Sequence, residues 1–282
     1  MSYSQAPPTY SAPKKGYAAV PQSQSDAPAA ASASASAATP LLASHDAAPR
    51  QEGDVDADDF KYGVSVEQST PEVRQMFLKK VYSILFLQIL GTALVGSTMR
   101  IPAVSAWVMN NSWIVIATSI SALISMGVLY FKRHSHPTNL LLLGLFTTLE
   151  AVSLGSAIAY VNQVVVLQAL ILTLFVFAGL TLFVWIFPEL NYARLAPWLF
   201  GALLLLVGAG FVQLFVPFSN AVDMAFAGIG VVVFSGYILF DTHMIMKRMS
   251  AEEWVLAVIS LYLDIINLFL SILRILNGVQ DD

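Results

Sequence analysis

Three acidic residues stand inside stretches of this chain that are otherwise almost wholly apolar: Glu150, Asp241 and Asp264. Asp264 makes the strongest demand, because it lies near the middle of the apolar run 255–276, where an ionised carboxyl without water or a partner is costly. Ser260, Asp264, Asn267, Ser271 and Arg274 follow one another at steps of four, three, four and three, which places them on one stripe of one helix. Asp241 closes the preceding apolar run 224–240, and Asp264 lies nine residues in from residue 255, roughly 13 Å along a helix. Tilt or a water-filled vestibule would bring the two together. Carboxyls in hydrogen-bond range at low dielectric cannot both ionise cheaply, so such a pair shares a proton and titrates as a unit. That is the chemistry of a pH sensor. Arg133, just past the run 113–131, falls at the same level and is placed to pair with either aspartate as a latch.

The other polar residues in these runs have plainer readings. The serines and asparagine of the Asp264 stripe read as hydrogen-bonding glue between helices, with Asn267 also a candidate for an ion path. Glu150 shares a row with Thr147 and Ser153; a protonated acid bonded to a neighbouring helix and a role in an ion path both stay open. His134 and His243 read as solvated loop histidines. Calcium takes six to eight oxygen ligands, so Asp241 and Asp264 could bind it only weakly and transiently, which suits passage better than storage.

Composition sets the elements that must hold these groups. With 57% hydrophobic and 11% charged residues, the chain is no ordinary soluble domain. Stretches of about 17 to 25 apolar residues recur at 81–99, 113–131, 139–161, 164–187, 198–218, 224–240 and 255–276. They predict an all-α membrane domain of seven transmembrane helices over residues 74–282. Arg74, Lys79, Lys80, Lys132, Arg133, Arg194, Lys247 and Arg248 flank one side, and Arg100 and Arg274 the other, which predicts a cytosolic N-terminus. The C-terminus then lies across the membrane, unless the last stretch is re-entrant.

Residues 1–73 are Pro-, Ala- and Ser-rich, with an acidic cluster at Asp54, Asp56, Asp58 and Asp59. They read as a disordered cytosolic tail. No apolar stretch with a cleavage site precedes the first span, so that span is expected to direct insertion. Pro7, Pro8 and Tyr10 form a PPxY pattern, a polyproline II ligand for WW domains such as those of ubiquitin ligases. The absence of cysteine excludes disulfides and thiolate metal sites. No basic patch argues for nucleic acid, and no HExxH, GxSxG or phosphate-binding glycine loop argues for an enzyme. No cofactor is expected.

The stretches Tyr237-Ile238-Leu239-Phe240-Asp241-Thr242, Ser250-Ala251-Glu252-Glu253 and Ser260-Leu261-Tyr262-Leu263-Asp264-Ile265-Ile266-Asn267-Leu268-Phe269 closely resemble the transmembrane Bax inhibitor motif, or lifeguard, family. Lys80-Val81-Tyr82-Ser83-Ile84-Leu85 with Gln88 resembles that family's first helix, and the tail is similar to those of fungal members. The resemblance covers roughly residues 74–278. It implies seven helices with the last one central, and a pH-sensitive calcium leak whose two-aspartate sensor falls on Asp241 and Asp264. The implied latch arginine falls on Arg133, with Lys132 as the alternative match. It also implies an endoplasmic reticulum, Golgi, vacuolar or plasma membrane setting and a role in restraining stress-induced cell death, with cell-death regulators as partners.

The function expected is therefore a calcium leak from an intracellular store, the endoplasmic reticulum or vacuole, modulating calcium homeostasis, stress responses including the unfolded protein response, and programmed cell death. Two rivals are a proton/cation antiporter using the same carboxyls and a non-conducting regulator acting through protein partners.

Overall fold

Hydrocarbon offers a backbone no hydrogen bonds, so a long apolar run must satisfy its own amides and becomes a helix. The computed structural model describes residues 65–111 and 113–281; Pro7, Pro8, Tyr10 and the rest of residues 1–64 lie outside the described residues. The helices are α1 (Pro71–Thr98), α2 (Pro102–Asn110), α3 (Trp113–Lys132), α4 (Thr138–Ile158), α5 (Gln163–Ile186), α6 (Ala196–Gln213), α7 (Asn220–Lys247) and α8 (Trp254–Asp281). All but α2 are long and apolar enough to cross a membrane, so the domain is an all-α, seven-span membrane protein. The nine-residue α2 is a short connector between the first two spans that hydropathy over a spanning window does not register. Proline opens α1, α2 and α6, where its missing N–H costs nothing, and Asn162 caps α5 by accepting from the Val164 N–H at 2.9 Å.

The last helix is the centre of the bundle. In α8, 67% of the apolar window is buried, against at most 39% in any other span. Helices α1, α5 and α7 pack directly on it, and Phe146 of α4 meets Tyr262 edge-on with ring centroids 5.9 Å apart. The outer helices α3 and α6 lean on α4 and α7, so α8 is wrapped in two layers rather than touched equally by six neighbours. Gly230 of α7 allows the closest crossing, since a Cβ there would stand 2.5 Å from the Ser271 Oγ of α8. At 28 residues and about 1.5 Å per residue, α8 is long enough to traverse hydrocarbon about 30 Å thick. Its far end meets the start of α7 through Arg274 and Asp223. It runs from one end of the bundle to the other.

The outward faces are apolar because their solvent is lipid: Phe131, Phe175 and Trp198 are among the most exposed side chains. Trp107, Trp113 and Tyr160 gather at one end of the bundle and Tyr130, Trp185 and Trp198 at the other, as interfacial aromatics do. The second end also holds Arg74, Lys80, Arg133, Arg194 and Lys247 and is the basic end below.

Two boundaries differ from the sequence reading. Helix α7 runs six residues beyond Asp241, to Lys247, because a helix ends where its hydrogen bonds end and not where hydropathy drops. The division at residue 73 also falls too late. Val66 is fully buried, its N–H donates to the Met249 carbonyl at 2.8 Å, and Ser65 bridges to Ser250. Glu67 accepts from the Lys247 ammonium at 2.7 Å, which holds the Glu67 carboxyl below the usual carboxylate range. Residues 65–70 are thus a strap across the α7–α8 turn, and α1 begins at Pro71.

Candidate functional site

The extension of α7 makes the pairing of its aspartate with α8 simple geometry. Asp241 lies six residues from the end of α7 and Asp264 ten from the start of α8, depths of roughly 9 and 15 Å along helices that run antiparallel about a short turn. Side chains close the remaining offset. The Asp241 and Asp264 carboxyls lie within hydrogen-bond range of each other, and Ser260, one turn before Asp264, is within range of Asp241. Asp264 is buried, at 7% exposure, and Asp241 half-buried. The Asp264 Oδ2 is buried without a donor. A carboxylate only accepts, so the contact between the two becomes a hydrogen bond only when a proton lies between them.

The serines and asparagine of the α8 stripe bond mainly within their own helix instead of gluing helices together. Ser260, Asn267 and Ser271 donate to the carbonyls of Leu256, Leu263 and Asn267 on α8 itself, at 2.9, 2.8 and 2.8 Å. Beyond Asp264, Asn267, Ser271 and Arg274 face a cavity of about 340 Å³ between α6, α7 and α8, lined also by Gln213 and Gly230. At its outer end Arg274 approaches Asp223 at 3.5 Å, and Gln213 donates to the same carboxyl at 2.9 Å. Polar groups thus run from the end opposite the basic end inward to Asn267, three residues from Asp264.

Arg133 is not brought to the pair. Its guanidinium lies over the Tyr130 ring, 4.7 Å from the centroid, with Nη1 donating to the Tyr130 carbonyl at 3.1 Å. It makes no ion pair with either aspartate, and its Nε is buried without an acceptor. Glu150 is half-buried and stands within electrostatic reach of Tyr262, away from the aspartates. Its row is spent on neighbouring helices: Thr147 accepts from Gln88 at 2.6 Å and Ser153 lies 2.6 Å from the Ser119 hydroxyl. His243 is buried, not solvated, with its ring 5.2 Å from that of Tyr192; the turn carrying Tyr192 folds over it, a contact invisible in one dimension.

A polar seam that spacing did not single out joins α8 to α1 and α4. The Tyr262 hydroxyl lies 2.8 Å from that of Thr92, which donates to the Gln88 carbonyl, and the Gln88 amide reaches Thr147. Tyr262 shares no row with the Asp264 stripe, so only its partner on another helix reveals it.

A seven-span bundle with a buried carboxyl pair on its last two helices defines a class of polytopic membrane protein built around a polar centre. The family model described as inhibitor of apoptosis-promoting Bax1 matches residues 74–281, and the chain belongs to that Bax inhibitor family. It is 40% identical over 226 residues to Bax inhibitor 1 of Schizosaccharomyces pombe, covering 80% of this chain and 85% of that protein. It is 38% identical to protein lifeguard 4 of Mus musculus, covering 79% and 93%. It is 37% identical to the Golgi anti-apoptotic protein of Vaccinia virus strain Lister, covering 78% and 92%.

Proposed function

We propose that this chain is a slow, passive calcium leak of an intracellular membrane, gated by the proton shared between Asp241 and Asp264, and that through it the protein restrains programmed cell death. The observation that carries the reading is the approach of two carboxyls inside the bundle, in line with a largely apolar cavity whose polar row, Arg274, Ser271 and Asn267, ends at Asn267. A shared proton keeps the pair closed to a cation; its loss leaves two negative charges that repel each other and attract a divalent ion. Two carboxylates and water hold calcium weakly, and weak holding permits exit.

The relatives' names support the cell-death role, since one is a Bax inhibitor and another a Golgi anti-apoptotic protein. The setting is an endomembrane, endoplasmic reticulum or vacuole by the family resemblance, with the N-terminus in the cytosol; the Golgi in one relative's name makes that organelle the first rival in an image of the tagged protein. Arg133 acts as latch only if its guanidinium leaves the Tyr130 ring, and its unaccepted Nε gives it a donor to offer a carboxylate. The tail's Pro7, Pro8 and Tyr10 would recruit a WW-domain ubiquitin ligase.

The test is calcium efflux from liposomes holding the purified protein, with internal and external pH varied together. Wild type is expected to pass calcium at a rate that depends on pH, and Asp264→Asn to lose that dependence. Identical efflux and pH response in both would remove the mechanism. Calcium movement driven by a pH gradient alone would favour the antiporter instead.

A further inference from the structure

Away from the aspartates, α1 and α5 both pack on α8 and leave a trough between them of about 250 Å³. Ile89 and Ala93 form one wall, Val166 and Leu170 the other, and Ile266 and Phe269 of α8 the floor. Apart from Gln163 and Arg100, both at one end, the polar side chains that line it are already spent. Thr92 is bonded to Gln88 and Tyr262, Thr173 donates to Ala169 at 2.7 Å, and Ser97 to Leu94 at 2.7 Å. Nothing along its length would bind water or an ion, so an apolar chain is its natural content. Exposed Ala93, Leu167 and Leu174 along its edges show that it opens sideways, toward lipid.

One end is different. Arg100 lines the trough at the end of the bundle opposite the basic end, half-buried, with Nη1 donating to the Ile158 and Val161 carbonyls at 3.2 and 3.1 Å. These bonds fix the guanidinium in place but do not neutralise it. No carboxylate pairs with Arg100 among the described residues, and its remaining N–H groups have no protein acceptor there. A fixed, unpaired guanidinium where a hydrocarbon trough meets the interface is complementary to a phosphate.

We propose that this trough binds one anionic phospholipid, with an acyl chain lying between α1 and α5 on α8 and the headgroup phosphate held by Arg100. The chain gains little from the hydrophobic effect, because in a bilayer it only exchanges one apolar surface for another. Selectivity therefore resides in the charge, and one cation near an anionic headgroup corresponds to a preference of about fivefold. Ile265 and Ile266, which line the trough, directly follow Asp264 on α8, so the lipid would rest on the helix that carries the buried pair.

Native mass spectrometry of the purified full chain tests this, with dioleoyl phosphatidylglycerol and dioleoyl phosphatidylcholine supplied equally. Phosphatidylglycerol is expected to be retained with about a fivefold preference. Arg100→Gln should abolish that preference and Arg100→Lys largely keep it. Ala93→Trp, which fills the trough and leaves Arg100 untouched, should abolish retention of either lipid while the thermal midpoint stays near wild type. Inorganic phosphate and dihexanoyl phosphatidylglycerol should not displace the long-chain lipid. Equal retention of both lipids, unchanged preference in Arg100→Gln, or unchanged retention in Ala93→Trp would overturn the site, and displacement by inorganic phosphate would make it a soluble-anion site instead. The liposome efflux of the aspartate variants is independent of these outcomes.

Discussion

At the scale of single residues, the buried carboxyl pair is a contact that a proton completes. Replacing either member with asparagine supplies the missing donor permanently, because the amide N–H₂ can bond the remaining carboxylate without any proton from solvent. Asp241→Asn and Asp264→Asn should each keep the fold and flatten the dependence of the thermal midpoint on pH over the range in which the wild type stays folded. The double substitution should add little to the flattening already produced by either one, since coupled neighbours are non-additive. Midpoints of the purified wild type and three variants across that range measure this; independent, additive pH effects would show that the two groups titrate separately. Asp264 was legible in the sequence because an acidic residue in mid-span has few bland explanations, and its partner because both lie near one turn. Arg133 was placed at the right level but not in the right company. Level follows from counting residues along a helix, whereas company depends on rotation, and the ring of Tyr130, three residues back in the last turn of α3, takes the guanidinium first.

At the scale of elements, the strap formed by residues 65–70 ties the start of α1 to the turn between α7 and α8. Val66 is buried and its N–H is bonded to Met249, while Glu67 and Lys247 add an ion pair at the surface. The Glu67 carboxyl is held below its ordinary range by the Lys247 ammonium. A lowered folded value means that the pair's contribution is fully present above the unfolded carboxylate range, about pH 4.3, and is lost as the pH falls through the lowered value. Because Glu67 is exposed, the contribution is small and screened by salt. Hydrogen exchange at the Val66 amide reads it directly. Glu67→Gln should lower the protection factor there roughly two- to fivefold at neutral pH and low salt, and should remove the further loss that wild type shows in acid. Unchanged protection would mean that the buried Val66 side chain alone holds the strap. The sequence hid this element because the alternation of Tyr62, Val64 and Val66 is too short to mark an element beside a polar, acidic tail, and α2 escaped for a related reason, being too short to register in a membrane-length window.

At the scale of the whole molecule, the span count followed from the thickness of hydrocarbon and needed no fold knowledge. The polar stripe of α8 says only that this helix faces protein; its central place was implied by the family resemblance and is seen in its burial. What no single span encodes is layering: α3 packs on α4 and α6 on α7, although α3 carries Thr118, Ser119, Ser121 and Ser125, as many polar side chains as the inner helix α5. The sidedness of the bundle rests on the basic residues gathered at one end and can be tested with unusual ease, because the chain contains no cysteine and any introduced thiol is the sole target. Ser135 lies in the exposed turn between α3 and α4 at the basic end, and Ala103 is exposed on α2 at the opposite end. In sealed microsomes, Ser135→Cys should react with a membrane-impermeant maleimide, whereas Ala103→Cys should react only after detergent opens the vesicles. The reverse pattern would turn the bundle over and put the cavity that ends at Asn267 on the cytosolic side, so that calcium leaving a store would meet the basic end first. With the expected pattern, the Arg274 end of that cavity and Arg100 would both lie on the side away from the cytosol, with the aspartate pair between the cavity and the cytosol.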